Sequence, residues 1–240
     1  MQNSLAAGEP AQMSPLQRDS LQQQIYERLH AGLIAGAFRP GEVISTRGLA
    51  TQLGVSAMPV REALTRLTAE GALELTPSRN LAVRILSRAD FDEVTAIRTE
   101  LEGMAAARAG AARTATDVTT IRARHADLAD AAESGDIDRY LSANAAFHAS
   151  IYAVARWPLL LSMIQRLWLI AGPAIRACLP DQTHLGRSMA CHDTILAAFL
   201  TGDGAALRAA IIADIATAAP DIRASLTIGT TRSNDDEIQS

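Results

Sequence analysis

Four side chains of metal-ligand type stand on helical stripes that are otherwise apolar. Between Asp136 and Val154, the residues Leu141, Asn144, His148 and Ile151 share one face, so an amide and an imidazole lie one turn apart. His192 opens a second stripe with Ile195, Leu196 and Phe199, and Asp214 interrupts a third made of Leu207, Ile211, Ile215 and Ala218. Three separate segments therefore aim polar groups at one core. A carboxylate buried without a partner is costly, so Asp214 needs a cation or several hydrogen bonds. A divalent ion such as zinc, nickel or manganese would satisfy all four groups, since two imidazoles, one carboxylate and one amide oxygen suit such an ion. A hydrogen-bonded polar cluster is the other reading of the same residues. Two imidazoles and a carboxylate around an open position is also a catalytic arrangement. The chain has no HExxH, GxSxG, P-loop or GxGxxG, however, and no evident general base beside the ligands, so no enzyme is expected.

The elements that must carry these groups are helices. From Arg88 onward β-branched alternation is almost absent and Ala, Leu and Ile recur at helical spacing. Ser87 or Asp90 can cap a helix reaching about Ala111, and Thr114 or Thr116 the next, which ends near Gly135. Asp136 to Val154, Pro158 to Ala177, Leu185 to Thr201 and Asp203 to Ser225 supply the rest of a six- to seven-helix bundle. The segment from 180 to 187 reads as a surface loop. The most apolar stretch, Trp157 to Ile175, is interrupted by Gln165, Arg166 and Pro173, and so falls short of a membrane span.

The stretch from Phe38 to Gly71 has a different character, that of two helices joined by a tight turn. Leu49, Ala50 and Leu53 bury one face of a helix over Thr46 to Leu53, and Gly54 ends it in the left-handed conformation. Ser56 stands as the next N-cap, and Pro59 occupies the first turn, where its missing donor costs nothing. Val60, Ala63, Leu64 and Leu67 then form a buried stripe up to Glu70, which leaves Ala57, Met58, Arg61, Thr65 and Arg66 outward, available to a DNA groove. Leu73 to Leu75 and Leu81 to Val83 read as a hairpin about a polar turn. A helix-turn-helix followed by a hairpin is a winged helix, and the whole chain is expected to be mainly α.

RPGEVIS, then LATQLGVSAMPVREALTRLTAEGAL, then a basic wing, resembles the DNA-binding domain of GntR-type bacterial transcription regulators, over about Leu21 to Arg84. The resemblance implies that Arg47, Arg61 and Arg79 contact DNA, and Ser56, Ala57, Met58, Pro59 and Arg66 at and along the recognition helix complete the candidate DNA-binding set. Where the family usually has Arg after the turn serine, this chain has Ala57. Farther on, NAAFHASIY and CHDTILAAFLTGDGAALRAAIIADI resemble the FadR-type ligand-sensing domain known as FCD, many members of which bind a divalent metal. Asn144, His148 and His192 match its ligands, and Asp214 stands where a third His is usual, which makes the site harder. The resemblance further implies a small carboxylate effector, clamped by Arg98 from the first helix of that domain. Arg98 is otherwise an exposed partner for Glu102 at i+4. Trp168, Arg176 and His184 are further candidates for the effector pocket, and a metal-free pocket for a larger ligand is the alternative.

Composition agrees with a regulator that presents one end to DNA. Counting Asp and Glu against Arg, residues 1–88 carry +2 and residues 89–240 carry −6, and phosphate neutralisation supplies much of any DNA affinity. All 22 basic residues are arginine, as a GC-rich genome would produce. Two cysteines, Cys178 and Cys191, provide no disulfide framework, and no basic-then-apolar leader is visible, so a cytoplasmic protein that binds no membrane is expected. The expected organisation is a polar tail at 1–19, a winged helix at 20–86, a helical effector-binding and dimerisation domain at 87–226, and a second polar tail at 227–240. The expected assembly is a homodimer on double-stranded operator DNA, repressing until a metabolite binds.

Overall fold

The computed structural model describes residues 21–178 and 182–226, so the polar tails expected at 1–19 and 227–240 lie outside the described residues. Helix α1 (Leu21–Ile34) precedes α2 (Thr46–Leu53) and α3 (Ala57–Ala69), and strands β1 (Leu73–Leu75) and β2 (Leu81–Val83) pair antiparallel with Leu73 opposite Val83. Ile25, Leu29 and Leu33 of α1 pack on Val60, Ala63, Leu64 and Leu67 of α3. Gly54 ends α2 at φ 67°, and the Val55 amide returns to the Ala50 carbonyl at 3.0 Å, which reverses the chain. Ser56 takes the N-cap backbone conformation, but its hydroxyl makes no capping hydrogen bond. Val43 bridges to Ala82 and so lends the wing a short outer edge.

The bundle follows as α4 (Arg88–Ala112), α5 (Ala115–Ser134), α6 (Ile137–Val154), α7 (Pro158–Cys178), α8 (Gln182–Thr201) and α9 (Gly204–Ser225). Four of its helix starts are fixed by side chains. Ser87 with Asp90, and Thr114 with Asp117, form reciprocal capping boxes, while Asp136 and Asp203 accept from first-turn amides. Ala105, Ala106 and Ala109 of α4, Ile121 and Leu128 of α5, Phe147 and Ile151 of α6, Ile195 and Phe199 of α8, and Leu207 and Ile211 of α9 fill the core. The first and last helices of the bundle, α4 and α9, pack along much of their length.

Two expectations are corrected. Of the segment from 180 to 187, residues 180 and 181 lie outside the described residues, and the rest is no surface loop, because α8 begins at Gln182 and Leu185 is buried. Nor do Gln165, Arg166 and Pro173 interrupt α7, which is long and apolar enough to cross a membrane by length and composition. Its Ile164, Trp168, Leu169, Ala171 and Ala174 are buried in protein instead, and this packing holds the helix through Pro173.

α7 also joins the two halves. Leu169 completes the core of the winged helix, Ile164 and Trp168 belong to the bundle core, and Ala174 and Cys178 pack with Leu86, Phe91 and Ile222. Arg166 donates from Nε to the Glu70 carbonyl at 3.1 Å and from Nη2 to the Ala69 carbonyl at 3.3 Å, where the end of α3 would otherwise leave acceptors open. Closest of all, Gly172 meets the end of α1. A Cβ there would lie 2.3 Å from the Leu33 carbonyl oxygen and 2.7 Å from that of Ile34. Gly172→Ala is therefore expected to destabilise the chain by about 1–3 kcal/mol through overpacking. Gly186→Ala, at an exposed position of α8 where nothing lies within 4 Å, should be neutral or gain up to about 1 kcal/mol from helix propensity. Urea unfolding of both variants checks the contrast.

Candidate functional site

α6, α8 and α9 bring three ligand-type groups together. His148 Nε2 lies 3.2 Å from His192 Nε2 and 3.5 Å from Asp214 Oδ2, and His192 Nε2 lies 3.7 Å from Asp214 Oδ1. Nitrogen ligands bound to zinc at ordinary lengths stand about 3.3 Å apart in a tetrahedron, so the donor atoms already have the spacing of a coordination sphere. Asn144, one turn before His148, lines the same cavity, whose volume is about 90 Å³. His192 Nδ1 is buried without a partner among the described residues.

The electrostatics keep both imidazoles neutral. Burial, then His192, then Arg98 hold the His148 pKa well below its usual value. Burial, helped by His125, pushes His192 down to about 3. Neutral rings offer lone pairs, which is what a metal needs. Asp214 moves the other way, up to about 7, because burial outweighs the pull of Arg98 and Glu102 adds to it. Its side chain keeps 16 % exposure, and the residue lines the cavity.

Behind His148 runs a chain of buried hydrogen bonds. Arg98 Nε donates to Glu102 Oε1 at 2.6 Å, the Tyr152 hydroxyl donates to Glu102 Oε2 at 2.5 Å, and the Tyr152 oxygen lies 3.1 Å from His148 Nδ1. Burial and the Glu102 carboxylate hold the Tyr152 pKa well above its usual value, so the phenol keeps its proton. Arg98 pairs with Glu102 as the i+4 spacing suggested and also lines the cavity, but the pair expected at the surface is buried, with Glu102 0 % exposed. Glu102 and Tyr152 were not among the candidates. The available signal was spacing, since each stands four residues after a candidate on the same helix.

Trp168 lines the cavity with the Arg98 guanidinium 4.7 Å over its ring, and the Trp168 Nε1 and Thr95 Oγ1 groups are buried without partners among the described residues. Arg176 is elsewhere. Eight residues beyond Trp168 it is turned about 80° around the helix, where it pairs with Asp138 and packs beside Gly36. The cavity arginine missed by sequence reasoning is Arg187, which pairs with Asp221, while His184 Nε2 lies 3.3 Å from the same carboxylate. Reading 180–187 as a loop concealed it.

At the other end of the molecule α3 exposes Ala57, Met58 and Arg61, with Met58 66 % exposed and Pro59 half-buried. The side chains of Arg47, Arg61 and Arg79 are exposed and have no partner among the described residues, and the Ser56 hydroxyl is exposed too. Arg66 differs. It donates to Glu70 at 3.1 Å and to Gln23 at 3.1 Å, and its guanidinium carbon lies 3.6 Å from the Tyr26 ring centre, so it is engaged in α1–α3 packing.

Two family models match the chain. The model of the bacterial regulatory proteins, gntR family, matches residues 21–83, and that of the FCD domain matches residues 93–217. The HTH-type transcriptional regulator McbR of Escherichia coli (strain K12) is 37 % identical over 156 residues, which cover 65 % of this chain and 71 % of that protein. The HTH-type transcriptional repressor RspR of the same organism is 26 % identical over 156 residues, or 65 % of this chain and 68 % of that one. The solved structure of E. coli McbR/YncC superposes with a TM-score of 0.79 at 32 % identity, covering 83 % of this chain and 95 % of that one. These families and relatives are transcription regulators, not enzymes.

The raised Asp214 pKa sets a pH dependence. Its carboxyl protonates near 3.8 when unfolded and near 7 when folded, so the bound proton stabilises the fold, fully below about pH 4 and decreasingly as pH rises to about 7. The two imidazoles act in the opposite sense, because below about 6.5 the unfolded chain protonates them and the folded chain does not. Asp214→Asn isolates the carboxyl. The unfolding free energy of metal-free wild type minus that of the variant is expected to fall between about pH 4.5 and 7.5. A flat difference in urea unfolding would mean that Asp214 ionises like an exposed carboxylate.

Proposed function

The chain belongs to the gntR family of bacterial regulatory proteins and carries an FCD domain, and from that premise we propose a cytoplasmic homodimeric repressor that senses a small carboxylate beside a divalent ion. A winged helix of this family binds double-stranded DNA and an FCD domain takes a small-molecule effector. The finer division is residues 20–86 for DNA and 87–226 for sensing and dimerisation. One observation carries the sensing site: the convergence of two buried, neutral imidazoles and a partly buried carboxylate whose ligand atoms lie within 4.8 Å of one another. His148, His192, Asp214 and Asn144 would hold the ion, which would supply an open position for the effector carboxylate. Arg98, only whose Nε is engaged by Glu102, and the unpartnered Trp168 Nε1 supply donors to orient that carboxylate.

On the DNA, Arg47, Arg61 and Arg79 meet phosphates and base edges, with Ser56, Ala57, Met58 and Pro59 at the start of the recognition helix and Arg66 as a buttress. Two such heads read half-sites of a near-palindromic operator. The exposed apolar residues Ile97 and Met104 of α4 and Trp157, Leu159 and Met163 near the start of α7 favour a second copy as partner. Repression follows the name of the relative RspR. α7 carries Trp168 at the cavity, Gly172 against α1 and Arg166 on the end of α3, so a shift at the cavity reaches the DNA-reading helix through one rigid rod. A coupling of about 1–3 kcal/mol is enough to switch operator occupancy.

Elemental analysis of untagged protein purified without chelator is expected to find about one equivalent of a transition metal, lost in the His148→Ala, His192→Ala double variant. No metal in either sample, even after reconstitution, would leave a metal-free pocket and send the search to larger ligands. On an operator selected from random duplexes at fixed salt, Arg61→Ala is expected to cost about 1–3 kcal/mol of binding and Arg223→Ala almost nothing. Equal losses would remove the recognition-helix assignment.

A further inference from the structure

The buried chain behind the candidate site has a polarity that its members impose on one another. A guanidinium only donates and cannot be deprotonated in a protein, so Arg98 requires an acceptor at Glu102 Oε1, 2.6 Å away. The other carboxylate oxygen accepts the Tyr152 proton at 2.5 Å. A phenol has one proton to give. With that proton directed at Glu102, the Tyr152 oxygen faces His148 Nδ1 at 3.1 Å as an acceptor, and Nδ1 must carry the ring proton. Nε2 is then the bare nitrogen, and it is the atom that faces His192 and Asp214.

Resting on the metal reading above, we infer that Glu102 and Tyr152 are positioning residues that fix which nitrogen of His148 is free to ligate. Metal-bound imidazoles generally depend on such a partner for tautomer and ring orientation. Here the partner is a neutral phenol whose direction is set one step farther back, by a carboxylate tied to an arginine. The consequence is specific. In Glu102→Gln the amide oxygen must still face Arg98, because Arg98 has nothing to accept a proton with, and the amide nitrogen is forced toward Tyr152. The Tyr152 oxygen then accepts from Gln, its proton turns to His148 Nδ1, and the His148 proton moves to Nε2, where it blocks ligation. Tyr152→Phe cuts the chain without reversing it, leaving His148 to populate both tautomers. A change of one atom at a fully buried position one residue removed from the ligand thus acts more strongly than loss of the hydroxyl that touches the ligand.

The test uses the full chain without metal. The 15N chemical shifts of the His148 ring are expected to show the proton on Nδ1 in the wild type, on Nε2 in Glu102→Gln and on both in Tyr152→Phe, with unchanged circular dichroism. Zinc affinity by competition titration should fall about 10-fold in Tyr152→Phe and about 100-fold in Glu102→Gln, the range found when outer partners of metal ligands are removed. A wild-type proton on Nε2, or no tautomer change in Glu102→Gln, overturns the inference. Should Glu102→Gln not fold, an unaltered tautomer in Tyr152→Phe overturns it equally. A wild type that binds no zinc yet shows the expected shifts defeats the metal reading and leaves the relay standing.

Discussion

A charge removed from water must be met by another group, and in this bundle that requirement falls hardest on Glu102. It lies midway along α4 with no exposure at all, and its two oxygens are taken by Arg98 from the same helix and Tyr152 from α6. Arg98 in turn stacks on Trp168 of α7, so one carboxylate ties three helices into a fixed arrangement. Replacing such a buried pair with well-packed apolar residues is often neutral or even stabilising. What the pair contributes here is geometry rather than stability. It holds the cavity walls and the face of His148 in one register, and an apolar core of interchangeable Leu and Ile would not do so as strictly.

The same economy governs the link between the two halves. α7 contributes to three separate apolar clusters, and at Gly172 it approaches α1 so closely that no side chain fits between them. Arg166 then holds the carbonyls at the end of α3. A helix seated in both cores transmits displacement because packed interiors resist compression. Of the two arginines on α3, Arg66, the one nearest α1, is engaged by Glu70, Gln23 and Tyr26, and the Arg61 side chain has no partner among the described residues.

Much of this was legible in the residues, for local reasons. Helix starts could be read from Ser87, Thr114, Asp136 and Asp203 because capping is a contact between near neighbours in the chain. The hairpin bounds and the glycine turn after α2 followed from the same kind of rule. The inward faces carrying His148, His192 and Asp214 could be read as well, since helical periodicity fixes a face to within one residue. Partnership across helices could not be. Arg176 and Arg187 look alike in a list of arginines, and only the angle about α7 and the helical state of 182–187 decide which one meets the cavity. Glu102 read as a surface partner of Arg98 because an i, i+4 ion pair looks the same whether its face is wet or dry. α7 itself showed the limit of composition, since a core helix and a membrane span share the same apolar content.

The pairing of α4 with α9 sets an order on the molecule's assembly. The first helix of the bundle finds its main neighbour only when the final helix exists, more than ninety residues of synthesis later. Until then α4 presents an uncovered apolar seam. The winged half draws all but one of its buried core residues from its own chain segment, the last being Leu169 of α7. A growing chain can therefore assemble most of the winged core well before the bundle closes. A nascent chain stalled before α7 would carry its recognition helix without Leu169 in the core, without the Gly172 contact on α1 and without Arg166 on the last carbonyls of α3.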